Sequence, residues 1–159
     1  MSDEIPKPVC AFLVSKDGAP AAISLPNDLQ ECKPAEGYLW IHFDVADPAF
    51  ETWLAGHFSR SITNAMVQPE TRPRCDPIED GLILNLRGVN LNPGADPEDM
   101  VSLRLWVSDG LIISARVRKI WALDAIRQKM EAGTAPTSVT AFLAELTHGL
   151  TKRIEKVSL

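Results

Sequence analysis

The sequence predicts an α/β (α+β) domain, a mixed and mainly antiparallel sheet with helices on its faces, and three observations carry that prediction. The first is the stretch from Met100 to Ile120. Here Val101, Leu103, Leu105 and Val107 alternate with Ser102, Arg104 and Trp106; after Ser108-Asp109-Gly110, Leu111, Ile113, Ala115 and Val117 alternate with Ile112, Ser114, Arg116 and Arg118. A period of two is what a half-buried strand imposes, and Asp-Gly supplies the positive φ of a tight turn. The stretch is therefore a hairpin with one apolar and one arginine-bearing face, placed at the centre of the sheet. The second observation is helical periodicity before and after the hairpin. The third is size: 159 residues, 45% of them hydrophobic, suit a single domain over residues 1–159 with one core.

In chain order, Val9 to Val14 and the AAISL run to Leu25, around Lys16-Asp17-Gly18, form an opening hairpin. Pro26 to Gly37 is a polar connector. Tyr38 to Asp44 is a strand with Leu39, Ile41 and Phe43 on one face and Tyr38, Trp40, His42 and Asp44 on the other. Its histidine, beside an aromatic, reads as packed and hydrogen-bonded rather than catalytic. Asp47-Pro48 starts a helix with Phe50, Trp53 and Leu54 inward, Asp as N-cap and proline at the first helical position. A second short helix from about Ser61 to Val67 turns Ile62, Ala65 and Met66 inward.

Pro69 to Gly81 is rich in proline and charge and forms no helix; its Thr71-Arg72-Pro73-Arg74 is extended because a residue before proline is pushed out of the helical region. Leu82 to Asn90 is a strand with Leu82, Leu84 and Leu86 inward and Ile83, Asn85 and Arg87 outward. Leu91 to Asp99 is a surface loop. After the hairpin, Ala122 to Ala132 is a helix ended by Gly133, with Leu123, Ile126 and Met130 on one side. The last helix, capped by Thr137 or Ser138, carries Val139, Phe142, Leu143, Leu146, Leu150, Ile154 and Val157 at three- and four-residue steps. No residue in 138–159 terminates it, so the helix is expected to continue beyond Leu159.

A formal charge of −5 and a pI near 5.2 argue against nucleic acid as a partner. Cys10, Cys32 and Cys75 have no CxxC spacing and no secretory signal precedes them, which points to reduced thiols. No apolar run approaches the ~20 residues of a membrane-spanning helix. The sequence has no glycine-rich phosphate loop, HExxH or GxSxG, and His42, His57 and His148 lie far apart along the chain. From the residues alone the reading stops at an α/β domain with no enzymatic signature.

Taken together, YLWIHFD (Tyr38 to Asp44), Trp53-Leu54, TRPR (Thr71 to Arg74), EDGLILNLRGVN (Glu79 to Asn90), VSLRLWVSDGLIISARVRKIWALD (Val101 to Asp124) and GTAPTS (Gly133 to Ser138) resemble the amino-terminal domain of the CorA-type metal-ion transporters, within them the ZntB zinc-transporter branch. The match runs in order over roughly residues 38 to 150. The resemblance implies a non-enzymatic regulatory and assembly domain on the cytoplasmic face of the inner membrane. It also implies a homopentamer that forms a funnel, and a longer protein reaching the membrane only through a carboxy-terminal part. That part holds the family's Gly-Met-Asn signature. No cofactor is required; zinc or magnesium enters as the transported or sensed ion. The alternative reading is a free-standing soluble α/β ligand-binding module or small enzyme.

Two sets of side chains are candidate sites. Arg87, Arg104, Arg116 and Arg118 share the polar parity of neighbouring strands, and Arg72 and Arg74 lead into the same sheet. A basic stripe of this kind would bind an inorganic anion or meet acidic side chains of a neighbouring subunit, unless Asp76, Glu79, Asp80 or Glu98 pair with it as structural salt bridges. Candidate cation contacts are Asp44 with Asp47, and Asp76 with Glu79 and Asp80, because a hard divalent ion wants clustered oxygens. Solvated turns and helix caps would use the same residues.

Overall fold

The alternating stretches form strands and the stretches with three- and four-residue steps form helices, in a computed structural model that describes residues 5–34, 36–68, 73–89 and 100–158, with backbone alone for 88–89, 100–101 and 152–158. The elements are β1 Cys10–Val14, β2 Pro20–Ala22, α1 Leu29–Cys32, β3 Tyr38–Asp44, α2 Phe50–His57, α3 Arg60–Val67, β4 Arg74–Ile78, β5 Gly81–Val89, β6 Met100–Ser108, β7 Leu111–Arg116, α4 Trp121–Glu131 and α5 Val139–Ser158. One seven-stranded sheet runs in the order β2-β1-β3-β7-β6-β5-β4. Parallel pairing joins β3 to β7, and the remaining neighbours are antiparallel. The predicted hairpin, β6 with β7, does lie at the middle.

Both faces of that sheet are buried, which corrects the expectation of a half-exposed hairpin and a single core. On one face Phe12, Trp40, Leu105 and Ile112 pack against Leu123 and Ile126 of α4 and Phe142 and Leu146 of α5. On the other, Ile41, Phe43, Trp106 and Ile113 pack against Phe50 and Leu54 of α2 and Ile62 and Met66 of α3. Period-two alternation reports the pleat and does not say which face is wet. Trp106, on the arginine-bearing parity, is 2% exposed, and Ile112 is fully buried. The structure is thus helices, sheet, helices in three layers.

Three other readings change. Residues 74–78 form a strand of their own, β4, where only an extended lead-in was expected. Inside the polar connector, Asp28 caps the one-turn helix α1, accepting from the N–H groups of Gln30 (2.9 Å) and Glu31 (3.3 Å). In β5 the predicted faces are reversed in burial: Ile83 and Asn85 are buried under α3, whereas Leu82 is 37% exposed and Leu84 and Leu86 are half-buried toward α5. The flank of a sheet is covered only as far as its helices reach. Smaller shifts place the second strand at 20–22 and the start of α2 at Phe50; Ala49 rather than Asp47 is its N-cap, Pro48 is not its first helical residue, and Asp47 Oδ1 instead accepts from Ala49 N–H at 3.0 Å in the preceding turn.

The cap of α5 and the β6–β7 turn follow the sequence, and α3 has a cap the sequence reading did not name. Ser59 accepts from Ile62 N–H at the start of α3 and Ser138 from Ala141 N–H at the start of α5. Gly110 takes φ +71° in the β6–β7 turn, as Asp-Gly predicts. Gly81 at the start of β5 leaves room for the Trp106 ring, which a Cβ there would approach to 2.4 Å. Val101, Ile154 and Val157, expected on apolar stripes, have side chains outside the described residues, as does the loop 91–99.

Candidate functional site

The arginines do not form one stripe. A hairpin with a two-residue turn pairs an even-numbered residue with an odd-numbered one, so Arg104 faces Ala115 across the ladder while Arg116 faces Leu103. Arg74, Asn85 and Arg104 make one cross-strand row on the α3 side, and Arg87, opposite Ser102, shares that side. Arg116 lies on the opposite side and is matched with Asp44, its Nε 3.9 Å from Oδ2. Arg118 is exposed beyond the end of β7, and Arg72 and Glu98 lie outside the described residues. The expectation of a single basic surface is therefore overturned by strand register.

Arg104 is the unusual member. It is 4% exposed, and its Nη1 donates to Met66 O at 3.2 Å. Met66 lies in the last turn of α3, where carbonyls without intrahelical partners carry the negative end of the helix dipole. Among the described residues the guanidinium is thus held by a helix carboxyl-terminal end and by no carboxylate, and burial draws its pKa below the usual value. By contrast Arg74 pairs with Asp76 at 3.5 Å in a half-exposed setting.

Of the acidic candidates, Asp76 is the strand partner of Arg74 just described, and the others lie in or beside turns. Asp44 Oδ1 accepts from Ala46 N–H at 2.9 Å; Asp47 accepts from Ala49 N–H and, at 2.8 Å, from Lys7 N–H. The Ser59 hydroxyl donates to Glu79, which sits in the β4–β5 turn at φ +56° beside exposed Asp80. Among the described residues no three His, Cys, Asp or Glu side chains come together to hold one metal ion.

A neutral polar hub sits on the α4/α5 side. Ser114 Oγ receives the Trp40 indole N–H at 2.8 Å and lies 2.8 Å from His42 Nδ1. All three side chains are buried, and the Trp40 ring stacks on both Phe12 and His42 at 6.0 Å. Burial pushes the His42 imidazole down to about 3, and nearby Arg116 adds to the shift, so the ring is neutral at physiological pH. The packed, hydrogen-bonded reading of His42 stands. Beside it on β1, burial pushes the Cys10 thiol up to about 12, and all three cysteines are free.

A groove of about 530 Å³ lies at the turn end of the sheet, where Lys33, His57, Ser59, Glu79, Asp80 and Asp109 surround a floor that includes Trp106. Sequence reading did not bring these residues together, because they come from four separate segments. It also missed Arg104 as a helix cap, for which no sequence signal exists since the partner is a backbone carbonyl. Ser114 was more accessible: Trp40 and His42 on one strand face call for a hydroxyl on the neighbouring strand.

Comparison with known proteins gives a consistent result. The family model described as CorA-like Mg2+ transporter protein matches residues 35–159. The divalent cation transporter CmaX of Pseudomonas aeruginosa is 38% identical over 123 residues, 76% of this chain and 37% of that protein. The solved structure of full-length CmaX superposes with a TM-score of 0.85 at 31% identity, covering 99% of this chain and 49% of that one. The ZntB cytoplasmic domain from Vibrio parahaemolyticus gives 0.81 at 25% identity, covering 96% and 61%. The chain spans well under half the length of the curated transporter it matches.

Proposed function

The chain belongs to the CorA-like Mg2+ transporter family, and on that premise we propose that it is the cytoplasmic assembly and regulatory part of a divalent-cation transporter that carries zinc or magnesium. The observation that supports this most is the superposition of nearly the whole chain on full-length CmaX and on the ZntB cytoplasmic domain. No helix among the described residues is long and apolar enough to cross a membrane. In this reading the membrane passage is the work of other segments, and this domain gathers and positions them as a homopentamer. Its net charge of −5 attracts divalent cations and repels anions at its surface.

Cys75 offers a direct test of placement, because it is the exposed one of the three cysteines. In the whole protein, a membrane-impermeant maleimide is expected to label Cys75 in inside-out vesicles and not in intact spheroplasts. Labelling from the outside alone would overturn the cytoplasmic placement. Native mass spectrometry of the detergent-extracted whole protein is expected to give five copies; a monomer would overturn the assembly role.

A further inference from the structure

No further inference is drawn: the strongest candidate, the groove of about 530 Å³ at the turn end of the sheet between the α2–α3 junction and the β4–β5 and β6–β7 turns, is lined by loop and turn side chains of mixed charge such as Lys33, His57, Glu79 and Asp109, with no second observation among the described residues that points to a ligand.

Discussion

The two faces of the sheet handle the same problem in opposite ways. Each buries a polar side chain that a period-two pattern would assign to water. On the α4/α5 face the group is His42, which is kept neutral and tied to Ser114 within an aromatic cluster of Phe12, Trp40 and Phe142. On the α2/α3 face it is Arg104, which cannot shed its charge and is set against the carboxyl-terminal end of α3. A titratable group can lose its charge on burial; a guanidinium needs an oppositely polarised partner. The fold offers a hydroxyl for one and a helix terminus for the other.

The strongest way to break the first face is Trp40→Ala. It removes a fully buried ring in contact with Phe142 at 5.0 Å and Phe12 at 6.0 Å, and a loss of about 3–5 kcal/mol in urea unfolding is expected. Ser114→Ala leaves the indole N–H and the imidazole nitrogen without their shared oxygen; a loss of about 2–3 kcal/mol is expected. If thermal melts left Ser114→Ala within error of the parent, the hub would be packing alone.

Protonation separates the faces next. The folded-state pKa of His42, about 3, lies below the ~6.5 of an unfolded histidine, so the unfolded chain takes up the proton first as pH falls. Stability from this group is complete above pH ~6.5 and declines as pH drops toward 3. Between pH 7 and 5 the decline amounts to about 2 kcal/mol. Denaturation midpoints at a series of pH values should show this slope in the parent and a flatter one in His42→Gln.

The two arginines sharpen the contrast at smaller amplitude. Arg104→Met removes the hydrogen bond to the Met66 carbonyl under the sheet and is expected to cost about 1–2 kcal/mol. Arg116→Met removes a partly exposed pair at 3.9 Å and should cost under about 0.5 kcal/mol. Equal costs in parallel urea titrations would mean that the helix end contributes nothing to holding Arg104.

Much of this architecture was legible beforehand. β3 appears with its predicted ends, the hairpin occupies the centre, and α3, α4 and α5 carry their predicted inner residues Ile62, Leu123 and Phe142. What escaped depends on distant pairing. The burial of Trp106 and Ile83 needs α2 and α3 to return across the sheet, and no local pattern encodes that. The placing of Arg116 apart from Arg104 follows from an odd-to-even register that parity counting along each strand separately overlooks. β4 was hidden because Pro77 reads as a strand breaker, yet it occupies an edge, where a missing N–H is tolerated. Family-level motifs spread over the chain carried the functional reading further than any cluster of side chains, and of the acidic candidates Asp44, Asp47 and Glu79 bond within or beside turns while Asp76 pairs with Arg74.

Ion flux tests the central claim most directly. The longer protein to which the proposed function assigns this domain is reconstituted in vesicles loaded with zinc- or magnesium-sensitive dye, and external ion is added. The account predicts dye responses to zinc or magnesium that protein-free vesicles lack. A folded, pentameric protein that moves neither ion under an imposed gradient would contradict it.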